Sequence, residues 1–134
     1  MVVRTHNKPW PLDQGLIDII NYHLDDLKPP RGYCCVLNFN DPTYCPERGG
    51  YHPVEIGLNA DGTVSYITDF SYVGCPPYAE LVKEIDFDFW HGLFQHFGHE
   101  HLIEQGRDLF QLWQANFISY YRSGVYTVTS DAGG

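Results

Sequence analysis

Three groups of histidines and carboxylates have the residue types and spacing from which chemistry is built. The densest is His96, His99 and His101, with His91 just before it, and neutral imidazoles bind zinc, copper or nickel. The spacing His-x-x-His-x-His fixes no ligand geometry by itself, and the segment reads as a turn in which histidines are solvated. No metal is therefore assigned, and His96, His99 and His101 stand as the alternative ligands. The second group is Glu84, Asp86 and Asp88, which alternate with Ile85, Phe87 and Phe89. A period of two marks a half-buried strand, with the apolar residues on a core and the three acids on the opposite face about 7 Å apart. Two carboxylates about 6.5–9.5 Å apart suit the acid and base of an inverting glycosidase. Any strand with alternating acids has that spacing, so a solvated or partner-binding acidic face is the plainer reading. The third group, His52, Glu55 and Asp69, lies on one hairpin across which the three can approach, and hydrogen-bonded structural pairing is its simplest use.

The sequence holds no Gly-x-Gly-x-x-Gly, Walker loop, Gly-x-Ser-x-Gly or His-Glu-x-x-His. Phosphate cradling, the serine-hydrolase elbow and the helical zinc-protease site thus lack their local scaffolds. No cofactor is called for. An enzyme would have to use the acidic strand or the His91–His101 region.

The elements that must position these groups follow from periodicity. Leu12, Leu16, Ile20, Leu24 and Leu27 recur at helical spacing behind Pro11 and Asp13, which predicts a helix over Leu12–Leu27 stopped by Lys28-Pro29-Pro30-Arg31-Gly32. Tyr33–Phe39 reads as a strand. Val54, Ile56 and Leu58, the turn Asn59-Ala60-Asp61-Gly62, and Val64–Phe70 form a β-hairpin; Pro53 lacks an amide donor, so its strand is an edge there or pairs only after it. The acidic strand comes next, and Gly92–Gly98 is a further strand or a turn. Leu109, Phe110, Trp113, Phe117, Tyr120 and Tyr121 define a second helix over 107–122, with Gly124 as its left-handed cap. Thr129–Gly134 reads as a polar tail. Strands between two terminal helices predict an α+β fold, a twisted antiparallel sheet of at least four strands with both helices packed on it.

A chain of 134 residues fits one domain, here 1–134 with an ordered core of about 10–128. Its formal charge of -9 disfavours nucleic acid and anionic membrane and suits a cationic protein partner. Met1–Trp10 has no apolar run for a signal peptide, and no stretch approaches the about 20 apolar residues of a membrane span, so a cytoplasmic protein is expected. Cys34, Cys35, Cys45 and Cys75 form no Cys-x-x-Cys pair and are expected to be reduced and mostly buried, a Cys45–Cys75 bridge being the alternative, with Cys34 and Cys35 on opposite faces if that segment is a strand.

Four strings, Gly49–Ile56, Tyr66–Gly74, Glu80–Phe89 and Leu112–Phe117, together resemble the uncharacterised bacterial family DUF 2787, over nearly the whole chain. The family is often encoded on mobile islands of proteobacteria and has no established activity to carry over. Its fold is similar to that of the acidic mitochondrial matrix protein that binds the globular head of complement, a twisted sheet with terminal helices that assembles as a ring-shaped trimer. The resemblance implies a binding or scaffolding role rather than a reaction. Self-association is expected for a separate reason. Phe110, Leu112 and Ile118 widen the apolar arc of the second helix beyond one stripe, and a homo-oligomer, trimer or dimer, would cover the excess unless the Tyr33–Gly50 connection or the first helix does.

Overall fold

The computed structural model describes residues 3–28 and 34–132. Helix α1 (Gln14–Leu27) buries Leu16, Ile19, Ile20 and His23 on one face. It opens later than Pro11 suggested, because Asp13 takes the N-cap in extended geometry and its carbonyl receives the first helical N–H groups, from Leu16 and Ile17. The Asp13 N–H donates to Gln114 Oε1 at 3.0 Å, tying the start of α1 to the last helix. The helix ends at Lys28, left-handed with φ 47°; the Pro29–Gly32 stop signal and Tyr33 lie outside the described residues.

Seven strands follow the α+β expectation and exceed its minimum of four: β1 (Cys35–Asn40), β2 (Val54–Leu58), β3 (Val64–Val73), β4 (Glu80–Asp88), β5 (Leu93–His96), β6 (His99–Leu102) and β7 (Thr127–Ala132). They form one antiparallel sheet in the order β6-β5-β4-β3-β2-β1-β7. Pairing of β2 begins at Val54, just after Pro53. Cross-strand partners Leu37, Ile56, Ile67, Phe87 and Phe94 make a buried row across five strands. A 3-10 turn (Ile103–Gly106) then leads into α2 (Arg107–Arg122), which lies over this row. The Phe110 ring meets Phe87 edge-on at 5.0 Å, and Phe117 meets Phe39 at 5.1 Å. Gly124, at φ +80°, follows the helix as its sequence position required.

Several expectations need correction. The presumed tail is a strand, since β7 pairs with all of β1 from Asn40↔Thr127 to Cys35↔Ala132. The core also extends below residue 10: Val3 and Thr5 are buried, and Thr5 bridges Val64 in parallel. Phe110 and Ile118, assigned to an oligomer interface, are 0% and 8% exposed within a single chain. Phe110 packs against Trp10 from the N-terminal segment, and Ile118 lies against α1 at Gly15, so the chain covers its own apolar excess. Of that trio only Leu112 is exposed. Only Cys35 of the four free cysteines is buried; Cys34, just before β1, is exposed.

Candidate functional site

The acidic strand does not keep its period of two. In the β3–β4 ladder Asp69 pairs with Ile85 but Phe70 pairs with Lys83, so Glu84 is an extra residue, a β-bulge. The bulge turns Glu84 to the helix side, beside Ile85, while Asp86 and Asp88 stay on the uncovered face. The three acids expected on one face are therefore divided between two sites.

On the helix side, Glu84 meets two residues delivered by the neighbouring strands. Asp69 projects from β3 on the core face, and His52 lies two residues before Val54, the β2 partner of Asp69. His52 Nδ1 is 2.8 Å from Asp69 Oδ1 and 3.7 Å from Glu84 Oε2. The indole Nε1–H of Trp113, on α2, donates to Asp69 Oδ2 at 2.9 Å. The Asp69 hydrogen bond, helped by the charges of Asp69 and Glu84 and opposed by burial, raises the His52 pKa above its ordinary value. These groups line a cleft of about 350 Å³ between sheet and α2, walled by Tyr51, Trp113, Phe117, Tyr120 and Tyr126. The exposed Leu112 stands at the same cleft. His52 and Asp69 thus pair as the hairpin allowed, but Glu55 does not join them.

Glu55 is on the uncovered face, in the cross-strand row Glu55↔Thr68↔Asp86. Tyr66 lies flat over Gly57, where an added Cβ would come within 2.1 Å of the ring, and its hydroxyl donates to Glu55 Oε2 at 2.7 Å. Thr68 Oγ1 donates to Asp86 Oδ1 at 2.8 Å, and Asp88 receives the His91 backbone N–H at 3.0 Å. Together with Lys83 and the half-exposed Trp90 these residues line a second groove of about 350 Å³. Burial, with added repulsion from Asp88 and Glu55, raises the Asp86 carboxyl above its ordinary range despite the Thr68 hydrogen bond and Lys83.

That shift has a consequence for stability. A carboxyl whose folded pKa exceeds its unfolded value holds its proton more tightly in the fold, so the stability it contributes is present in acid and lost as pH rises through the folded value. Above the folded value, ionising Asp86 is a net cost to the fold. Asp86→Asn keeps an acceptor for Thr68 and is expected to melt at a higher temperature than the native protein at pH 7, the gain shrinking as pH falls through the folded value and being smallest below 3.8. Thermal melts at both pH values check this, and equal melting temperatures at pH 7 would refute it.

Of the first group, His96, His99 and His101 lie on strands rather than in a turn, while His91 stays in the turn after β4. His96 pairs with His99 across the β5–β6 hairpin, whose turn is Phe97-Gly98, and His101 stacks on Phe94 at 4.9 Å. Among the described residues, only His52, Asp69 and Glu84 bring three ligand atoms within 4.8 Å of one another. Among those residues also, no helix is long and apolar enough to cross a membrane.

A family model for proteins of unknown function matches residues 12–131. The chain belongs to the DUF2787 family. Two solved structures from Vibrio cholerae are similar to it. A hypothetical protein of the VSP-II pathogenicity island is 32% identical with a TM-score of 0.77, covering 92% of this chain and 96% of its own. A conserved hypothetical protein of the VPI-2 island is 32% identical with a TM-score of 0.71, covering 90% and 95%, and is described as sharing structural homology with the human P32 protein. No curated protein matches the sequence. The four strings that carried the DUF2787 resemblance converge on the cleft: His52 comes from the first, Asp69 from the second, Glu84 from the third, and Trp113 and Asn116 from the fourth.

Proposed function

We propose that this protein is a non-enzymatic, acidic protein-interaction module whose uncovered sheet face receives a cationic segment of a partner. The observation that carries this reading is the row of Glu55 and Asp86 with Asp88 beside it, on a face that neither helix covers, around a groove with Trp90 at its side. Burial, with the neighbouring Asp88 and Glu55 charges, raises the Asp86 carboxyl above its ordinary range. A lysine or arginine side chain entering the groove relieves the repulsion among the acids, and Trp90 offers it a ring face. The formal charge of -9 steers such a partner from a distance. Glu84 has no part in this surface, because the bulge points it the other way.

Titration with a lysine- and arginine-rich peptide, by calorimetry at low and moderate salt, tests the reading. Binding is expected to weaken as salt rises. It is expected to fall roughly thirtyfold in the Glu55→Gln, Asp86→Asn, Asp88→Asn triple variant, taking about 0.7 kcal/mol for each exposed pair. Equal affinity for native and triple-variant protein would assign the attraction to overall charge and remove the role of this face.

A further inference from the structure

The cleft under α2 carries a different chemistry, and the inference drawn from it does not depend on the partner-binding reading of the opposite face. We propose that His52, Asp69 and Glu84 form a binding site for a divalent transition-metal ion of the zinc class. The donor set is one imidazole nitrogen and two carboxylate oxygens, all within 4.8 Å of one another. The nitrogen favours zinc-like ions over calcium or magnesium, which prefer all-oxygen shells. Bonds of about 2.0–2.2 Å to a tetrahedral zinc place neighbouring ligand atoms about 3.4 Å apart. The distances here, 2.8 Å to Asp69 and 3.7 Å to Glu84, lie on either side of that value, and the two carboxylate oxygens are within 4.8 Å of each other, so side-chain adjustment without backbone rearrangement is what the site asks for.

Two further features separate this cluster from an ordinary hydrogen-bonded pair. Glu84 reaches the cleft only because β4 carries an extra residue there, yet its Oε2 stands beyond hydrogen-bond reach of His52. Its side chain, 24% exposed, is held beside a second carboxylate that is 12% exposed, an arrangement that a cation relieves. Asp69 is meanwhile oriented by Trp113 through its other oxygen, the outer hydrogen bond that metal-ligating carboxylates characteristically make. Three protein ligands leave one position or more facing the cleft, open to water or to a donor atom of a small ligand.

The experiment uses the full chain purified without a histidine tag, stripped with a chelator, and titrated with zinc in a calorimeter. Cobalt serves as a second probe whose visible absorption reports coordination. One zinc per chain is expected, with intense cobalt bands. His52→Ala and Glu84→Gln should each weaken binding about a hundredfold, and Glu84→Gln, which preserves side-chain size, carries the test if His52→Ala does not fold. Trp113→Phe keeps the ring but frees Asp69; as a positioning residue, Trp113 should when so changed cost about tenfold in affinity and shift the cobalt spectrum. His96→Ala with His99→Ala should change nothing. Absence of stoichiometric uptake at micromolar zinc overturns the proposal. So does uptake that survives Glu84→Gln but is lost on changing His96 and His99, which would place the ion on the β5–β6 hairpin.

Discussion

Phe110→Ala is expected to destabilise the fold by about 4 kcal/mol while leaving the mass of the particle in solution unchanged. The side chain is fully buried, with Trp10, Phe87, Phe89 and Trp113 around it at ring-centroid distances of 5.3, 5.0, 5.7 and 6.0 Å. Truncation removes most of the ring's apolar area and leaves a cavity between sheet, α2 and N-terminal segment that aromatic neighbours fill poorly. Ring–ring contacts add roughly 0.5–1.5 kcal/mol each beyond area burial. Urea unfolding measures the loss, and light scattering on a size-exclusion column measures the mass. A stable variant with an altered mass would return Phe110 to an interface between copies of the chain.

Truncation after Tyr126 should have the second largest effect. It deletes β7, which pairs with six consecutive residues of β1 and packs the half-buried Val128 against the core. At a net of about 0.5 kcal/mol for each paired residue the loss is roughly 3 kcal/mol, a large fraction of the 5–15 kcal/mol typical of a domain. The new edge would be β1, whose Leu37 and Phe39 are fully buried, and an unpaired apolar strand recruits other strands. The truncated chain is therefore expected to melt lower and to aggregate on heating. A melting temperature and solubility equal to those of the full chain would show β7 to be a passive covering.

What the sequence discloses depends on how local each determinant is. The second helix, the β2–β3 hairpin and the core residues of β4 are written in their own periodicities, and the structure keeps them. The bulge is not local. Glu84 to Phe89 alternates without a break, the adjacent charges of Lys83 and Glu84 mark only that the period ends there, and the pairing of Asp69 and Phe70 with Ile85 and Lys83 is what places the extra residue. The His52–Asp69–Glu84 cluster was hidden for the same reason, since it needs the register of three strands, although each member lay in a string that pointed to the family. The fate of Phe110 and Ile118 was undecidable from helix breadth alone, because the covering groups, Trp10 and α1, are about 100 residues away in sequence. For β7 a signal was present: Thr127, Val128 and Thr129 are β-branched and follow the helix-ending Gly124. Its polar composition concealed it, as is common for an edge strand.

Asp69 has one further consequence. One oxygen of its carboxylate holds the imidazole of His52 and the other holds the indole of Trp113. Whatever draws on the first oxygen is felt through a rigid planar group by the second, and so by α2. The side chain works as a short lever between the floor of the cleft and its roof. Trp113, fixed at the far end, is a fluorophore already wired to the site, able to signal from within the native molecule when the floor changes occupant.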